Sequence, residues 1–358
     1  MNVVALVALI ILWWALITYA VLGGADFGAG VWDFFAVGRL ADRQQKLINH
    51  ALGPVWEANH VWLIFLIVGL FNVFPSAFAT LSIALFFPFT LALLGIVLRG
   101  AAFIYRYYAV DAKGRFARLW GRVFSLSSLL TPFFLGVSAA AVASGKLLLP
   151  NGVADATHIV SLILPFVLTI GAMAVSLCAT IAAVYLTVEA RDTEHDKELA
   201  ESYRLKALIA GAITAVLGAL GLALSSIESP ILWYGMLIRA WPVVIATMII
   251  GLATAVTLYA RYYRTARVLI IAEAAFMLGA WGLAQYPYII PTDYTIDNAA
   301  NAANVITAVL IGLVCGMIIV IPSLYYLFSV FKLSYPAPGV QRPANEQKEP
   351  LQEGVTSH

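Results

Sequence analysis

Nine long apolar runs constrain this chain more than any other feature, because each can cross a lipid bilayer as a helix. Such a helix needs about 20 consecutive apolar residues. Only 11% of the 358 residues are charged, whereas soluble domains carry about 25%. A soluble globular core is therefore excluded, and we predict an all-α polytopic membrane protein with nine transmembrane helices. The predicted spans are 2–22, 51–74, 77–105, 118–144, 158–189, 204–225, 241–261, 266–286 and 303–331.

Lysine and arginine alternate between connections in a way that predicts orientation. The first, third, fifth and seventh connections and the C-terminal tail hold eighteen of the 21 Lys and Arg residues. Only Lys146 and Arg239 lie in the even connections, and Arg99 lies within a predicted span. Because cytoplasmic loops carry the excess of basic residues, we predict the N-terminus outside and the C-terminus in the cytoplasm.

The domain organisation follows from where the chain becomes polar. We predict a single transmembrane domain over 1–333 and a polar, disordered cytoplasmic tail over 334–358, which is rich in Pro and Glu. The charged stretch 189–206, near the middle of the chain, predicts a boundary between two four-helix bundles, with one further peripheral helix.

Four ionisable residues inside the apolar runs, Asp26, Glu57, Arg99 and Glu273, define the candidate site. Each costs roughly 2.5–3.5 kcal/mol at the centre of a membrane helix, so such residues usually serve a proton route, a cofactor site or an internal pair. At about 1.5 Å per helical residue, all four fall in the cytoplasmic half, with Asp26 level with Arg99 and Glu57 deeper. Glu273 falls about 9 Å from the cytoplasmic side. This gradient predicts a proton half-channel from the cytoplasm.

Two interpretations of these charges stay open. Asp26 and Arg99 either form an ion pair that only holds the first span against the third, or they line the proton path. Glu57 is favoured as a proton carrier because no Lys or Arg shares its span. His60 lies three residues from Glu57, on the same helix face, where the two could exchange a proton. Asn59 faces a different neighbour.

Several other kinds of site are not predicted. The Gly-rich stretch 23–30 follows a membrane span rather than a strand, so it is not a dinucleotide loop; it predicts either close helix approach or a local helix break. Cys178 and Cys315 fall within spans and predict buried packing, with no disulfide or thiolate metal site. A haem would need two axial ligands, and the spacing gives His60 no supported partner. The methionines considered as its partner are Met173, Met248 and Met277.

Several motifs resemble subunit II of the cytochrome bd-type quinol oxidases. The most specific are residues 54–63 (PVWEANHVWL) and 286–291 (YPYIIP). Further segments that resemble the family are 24–30 (GADFGAG), 74–75, 98–99, 131–136 and 295–296. The resemblance covers nearly the whole chain except the tail. One departure is that the acid after Trp56 is Glu, where family members often carry Asp, so the carboxylate reaches one methylene further.

The resemblance implies a division of labour between subunits. Subunit I of such oxidases binds haems b and d and oxidises quinol, often beside a small single-helix subunit. Subunit II is generally haem-free, supports the assembly, can bind a structural quinone or lipid, and offers a cytoplasmic proton path. The residues carried over are Glu57, His60 and Asp26 for the proton path, and Arg99, Asp26, Asn59 and Trp56 for structural or ion-pair roles. The expected location is the cell (inner) membrane of a bacterium or archaeon.

The resulting functional prediction is an accessory subunit of a quinol:oxygen oxidoreductase that is not catalytic alone. The alternative is a proton-coupled secondary transporter, because such carriers combine intramembrane acids with glycine-interrupted spans. Against the transporter, the acids cluster toward one face rather than the midplane, and the second half has no matching broken span. A purely structural partner without a proton role is the third interpretation.

Overall fold

The computed structural model is almost entirely helical. It describes residues 2–52, 56–107, 114–148, 153–154 and 159–334. The helices are α1 (Val3–Phe34), α2 (Ala41–Leu52), α3 (Trp56–Val73), α4 (Pro75–Ala84), α5 (Phe86–Tyr107), α6 (Arg115–Ala143), α7 (Pro165–Asp192), α8 (Lys197–Glu228), α9 (Pro230–Ile238), α10 (Trp241–Tyr259), α11 (Tyr263–Gln285), α12 (Ile296–Ala299) and α13 (Ala303–Ser334). A 3-10 turn (Ile159–Leu162) and an antiparallel hairpin of β1 (Tyr288–Ile290) and β2 (Tyr294–Thr295) complete the described elements.

Eight of the described helices are long and apolar enough to cross a membrane. They are α1, α5, α6, α7, α8, α10, α11 and α13. The predicted spans 118–144, 241–261 and 266–286 agree with α6, α10 and α11 to within three residues at each end. In α3 the part whose side chains are described, Asn59–Val73, is shorter than a full span, so the ninth transmembrane helix stays a prediction.

Two predicted spans, 158–189 and 204–225, begin seven residues away from the observed starts of α7 and α8, and the first three differ in other ways. The first continues well beyond residue 22, to Phe34. The second begins at residue 51, within the last turn of α2, and otherwise corresponds to α3. The third is divided into α4 and α5 at Leu85.

The long helices pack in two groups. Helix α1 packs on α3 and α6, and α5 packs on α6. In the second group, α8 packs on α7, α10 on α11, and α11 on α7. Helix α7 also packs on α1 and α6, which joins the groups. The predicted boundary at 189–206 is wrong, because this stretch connects α7 and α8, which pack as a hairpin inside the second group.

Polar contacts show which connections share an end of the bundle. At what we call the basic end, Arg43 of α2 pairs with Asp196 and Glu198, and Arg264 pairs with Asp192 at 2.8 Å. The first, fifth and seventh connections therefore meet there. At the opposite end, the backbone N–H of Asn301 donates to the Val73 carbonyl at 2.8 Å.

The hairpin at the opposite end carries the YPYIIP motif. The Gln285 amide donates to the Ile289 carbonyl at 2.8 Å, and the hydroxyl of Thr80 in α4 lies 3.2 Å from that of Tyr294. Arg239 donates to the Tyr286 and Ala284 carbonyls. These contacts hold the motif over the ends of α9 and α11, and they hold the second strand of the hairpin against α4.

By packing, the chain divides into two units, Met1–Cys315 and Gly316–His358. The first holds the helix groups and the hairpin. The second contains the C-terminal part of α13, as far as Ser334. The predicted boundary between 333 and 334 stays a prediction, and the tail after Ser334 lies outside the described residues.

Candidate functional site

The Gly-rich stretch 23–30 lets α1 approach its neighbours without interrupting the helix. A side chain at Gly28 would overlap the carbonyl group of Cys178 in α7, and one at Gly30 would overlap the hydroxyl of Ser128 in α6. Of the two predicted alternatives, close approach is therefore observed, and α1 is continuous through the stretch. This packing buries the side of α1 that carries Asp26.

Asp26 is held by a residue of α3. Its carboxylate is 8% exposed, and its Oδ2 accepts a hydrogen bond from Asn59 Nδ2 at 2.6 Å. Asn59 is itself 6% exposed. A buried carboxylate needs donors to replace those of water, so the amide both stabilises Asp26 and joins α3 to α1. Asn59 thus serves a neighbour other than Glu57, as its helix position predicted.

Arg99 of α5 reaches the same site but binds the backbone of Asp26. It is 2% exposed, and its Nη2 donates to the Asp26 carbonyl oxygen at 3.0 Å. Its guanidinium lies 5.0 Å from the ring centre of Phe27 and 5.3 Å from that of Phe124. Within the described residues, no side-chain salt bridge joins it to Asp26. Asp26 and Arg99 therefore meet as predicted, but not as a direct ion pair. Arg99 contacts the Asp26 carbonyl and two aromatic rings, while the Asp26 carboxylate binds Asn59.

His60 lies one residue beyond Asn59 on α3, beside aromatic residues of α1. It is partly buried, and its ring centre is 6.0 Å from that of Tyr19 and 6.2 Å from that of Phe27. The Tyr19 side chain is 5% exposed, and its hydroxyl has no hydrogen-bond partner in the described part of the chain. The site thus extends from Asp26 along α1 toward Tyr19.

Two of the predicted site residues are only partly described. Trp56 and Glu57 lie in the first turn of α3, and their side chains lie outside the described residues. Their predicted roles stay predictions.

Glu273 lies apart from this cluster. It is ten residues from the start of α11, and its carboxylate lies over Gly251, ten residues from the start of α10. It therefore sits near mid-height of the α10–α11 hairpin, farther from the basic end than the predicted 9 Å. The prediction counted from Arg267, whereas α11 begins four residues earlier, at Tyr263.

Comparison with known proteins identifies the family. The family described as cytochrome bd terminal oxidase subunit II matches residues 4–331. The chain belongs to the cytochrome bd terminal oxidase subunit II family.

Relatives of this subunit II agree over different lengths. A Bacillus subtilis (strain 168) protein provisionally named cytochrome bd menaquinol oxidase subunit II is 23% identical over 91% of this chain and 95% of its own. Cytochrome bd-I ubiquinol oxidase subunit 2 of Escherichia coli K12 is 27% identical over 49% of this chain and 47% of its own. A chain of the bd oxidase structure from Geobacillus thermodenitrificans has the same fold, with a TM-score of 0.71, 22% identity, and coverage of 93% of this chain and 100% of that one.

The three methionines considered as axial partners of His60 lie on different helices of this subunit II: Met173 on α7, Met248 on α10 and Met277 on α11. Met248 is 69% exposed, and Met277 packs against a cluster that includes Ile181 of α7 and Ile270 of α11. The Met173 sulfur lies beside Gly218 of α8. We therefore assign no axial ligand pair. That this chain itself binds no haem stays a prediction.

Sequence reasoning missed Asp33, a second buried acid on α1 of this subunit II. It is 6% exposed, and the hydroxyl of Ser125 in α6 donates to its Oδ2 at 3.0 Å. It was missed because it lies eleven residues beyond the predicted end of the first span, at residue 22, whereas Asp26 lies only four residues beyond it. Its spacing of seven residues from Asp26, which repeats one helix face, was the signal that could have found it.

Both cysteines were predicted to be buried, but Cys315 is exposed on the surface of the chain.

Ion pairs at the basic end hold α2 against the start of α8. The Asp196 carboxylate caps α8 by accepting from the Leu199 N–H at 3.0 Å and also binds Arg43. Partial burial on its own raises the pKa of Asp196, but the hydrogen bonds from Arg43 and Leu199 outweigh it, so its pKa lies below the usual value. The bonds from Asp196 and Glu198 raise the pKa of Arg43.

Proposed function

We propose that this chain is the accessory membrane subunit of a quinol:oxygen oxidoreductase and conducts protons from the cytoplasm. The observation that carries the proposal is the buried Asp26 carboxylate, held by Asn59 where α1, α3 and α5 meet. A membrane protein keeps such a costly group mainly to transport charge or to form an ion pair. The Asp26 carboxylate does not pair directly with Arg99, which supports the transport of charge.

In the proposed mechanism, Glu57 takes up protons at the start of α3 and passes them toward Asp26 and His60. Asn59 holds the Asp26 carboxylate in place, and Arg99 and Trp56 order the surrounding helices. The guanidinium of Arg99, bonded to the Asp26 carbonyl, holds α5 against α1 at this point of the path. Haems b and d, expected in subunit I, supply the oxygen chemistry.

The proposed assembly has nine spans, with the basic end of the bundle in the cytoplasm. It lies in the cell (inner) membrane of a bacterium or archaeon and pairs with haem-bearing subunit I, with a small single-helix subunit and a structural quinone or lipid as further components. The polar tail, 334–358, is assigned to the cytoplasm.

A difference spectrum of the purified assembly tests the oxidase assignment. The tagged chain, purified from its native membrane in mild detergent, should carry reduced-minus-oxidised bands of haems b and d, and these should disappear when the partner is stripped off. Bands that stay with the isolated chain would instead make it a haem-binding subunit. Complete absence of haem would favour the transporter, which substrate uptake by liposomes containing the chain would then test. Because Glu273 lies near mid-height, a clustering of the acids toward one face of the membrane no longer counts against a transporter.

Two substitutions test the proton path. Glu57→Gln and Asp26→Asn remove an exchangeable proton with little change in shape, so quinol-driven oxygen consumption per haem should fall by about 10- to 100-fold while the complex still assembles. Glu273→Gln is the matched control, because it removes an intramembrane carboxylate outside the cluster and should leave the rate unchanged. Unchanged oxygen consumption in both Glu57→Gln and Asp26→Asn would make the chain a purely structural partner.

A further inference from the structure

Three buried polar residues recur at intervals of seven on one face of α1: Tyr19, Asp26 and Asp33. Their exposed fractions are 5%, 8% and 6%. A step of seven residues returns to the same helix face within about 20° and advances about 10.5 Å along the axis. We call this set the α1 stripe. It extends from the basic end of the bundle into the first helix group over about 21 Å.

We propose that the α1 stripe is a proton path in which Asp33 delivers protons from the basic end to Asp26, where the proposed route from Glu57 joins it, and the hydroxyl of Tyr19 beside His60 receives them. This inference rests on the proposed proton-conducting function and adds Asp33 and Tyr19, which sequence reasoning did not single out. Each transfer forms one O–H bond as another breaks: a carboxylate accepts a proton and later releases it, and the Tyr19 oxygen accepts one proton as it gives up its own.

Hydroxyl groups of α6 line the interval between the two acids. The Ser125 hydroxyl lies 3.0 Å from Asp33 Oδ2 and also 3.0 Å from the Gly121 carbonyl, so its single proton has two acceptors. The Ser128 hydroxyl contacts α1 at Gly30, between Asp26 and Asp33, where any side chain would displace it. Hydrogen bonds reach only about 3 Å, so such intermediate groups, or water, are what an interval of about 10.5 Å needs.

The Tyr19 hydroxyl is a second, independent observation, and it supports the inner half of the stripe, from Asp26 to Tyr19. Its hydroxyl is buried and without a hydrogen-bond partner among the described residues. Leaving a buried hydroxyl unpaired costs about 1–3 kcal/mol, so packing alone favours Phe at this position. The hydroxyl is explained if it exchanges protons with the Asp26–His60 region.

Tyr19→Phe separates the proton path from a structural role. A structural role predicts that losing an unpaired hydroxyl leaves the oxygen-consumption rate unchanged and the complex equally or more stable. The stripe predicts that haem content and thermal stability are kept while the rate falls about tenfold or more. The ratio of rates in H2O and D2O should also rise, because proton transfer becomes rate-limiting.

Asp33→Asn tests the outer half, with Asp192→Asn as its control. Asp192 is an acid at the same end that pairs with Arg264 outside the stripe, so its loss should leave the rate unchanged. Asp33→Asn should slow turnover and raise the isotope ratio, and Asp33→Glu should restore both. If Asp33→Asn does not assemble, Ser125→Ala carries the test, because it removes the donor to Asp33 with little change in volume.

The outcomes distinguish this inference from the proposed function. The proposed path along the α1 stripe is overturned if an assembled Tyr19→Phe or Asp33→Asn variant keeps the wild-type rate and isotope ratio. If Asp33→Asn does not assemble, the same result in Ser125→Ala overturns it. If Glu57→Gln is slow in that same experiment, the proposed function stands with its path through Glu57. If none of these variants is slow, both proposals fail.

Discussion

A close approach of α6 and α7 at Gly136 provides a quantitative test of the fold. A Cβ added there would lie 2.7 Å from Ala174 Cβ and 3.0 Å from the Gly171 Cα, whereas ordinary contacts begin near 3.4 Å. Gly136→Ala therefore requires the two helices to separate by about 0.7 Å, the difference between 3.4 and 2.7 Å. Neither neighbour is the end of a flexible side chain, so rotation of a side chain cannot relieve the overlap.

The expected cost is that of overpacking a tight interface, about 1–3 kcal/mol. Replacing Gly by Ala within a helix also stabilises the helix by about 0.5–1 kcal/mol, because Ala loses less conformational entropy on folding. Gly121→Ala, in the same helix, is the matched control, because a Cβ at Gly121 meets nothing within 4 Å. The helix term is common to both variants and cancels, so their difference reports the interface alone.

Labelling of a buried cysteine can follow the unfolding of this chain within its complex. Cys178 lies four residues beyond Ala174 on α7 and is buried, and Cys315→Ala removes the exposed thiol. A fluorescent maleimide, with the chain resolved on a gel, then gives the temperature at which Cys178 becomes accessible. Gly136→Ala should lower this temperature by several degrees relative to Gly121→Ala at the same heating rate. Equal temperatures would refute the reasoning and mean that α6 and α7 are not in close contact.

Two further predictions concern buried and surface charge. Arg99→Lys should lower the yield of assembled complex several-fold, since an ammonium lacks the planar group that bonds the Asp26 carbonyl while stacking on two rings; a normal yield would remove Arg99 from the helix contact. Asp196→Asn keeps a good helix cap but loses the charge, whereas Asp196→Ala loses both and should cost about 0.5–2 kcal/mol more for the cap. Because the folded pKa of Asp196 is lowered, its charge stabilises fully above the unfolded value of about 3.9 and is lost as the pH falls through the folded pKa. Wild type and Asp196→Asn should therefore converge in thermal midpoint at low pH, and a constant difference would contradict this.

Some features could be predicted because they depend on local sequence. The apolar run 241–261 and helix α10 nearly coincide, since a helix that satisfies its own backbone is what an apolar segment must form in lipid. Three of the basic connections, the first, fifth and seventh, also meet at one end, as alternating crossings require. The acids of the candidate site were recognised in the same way, by their cost within an apolar run.

The partners of those acids depended on the tertiary structure. Sequence counting placed Asp26 level with Arg99, but only the rotation and separation of α1, α3 and α5 decide that Asn59 takes the carboxylate and Arg99 the carbonyl. Asp33 is buried because α1 continues past the predicted span end and packs on α6. The sequence alone does not show this continuation, because a polar residue near the end of a span is equally consistent with a loop. The sequence by itself determined which segments enter the membrane, because transfer into lipid depends on composition. The tertiary structure decided which charges meet, because contacts depend on helix rotations that are set by packing across the whole bundle.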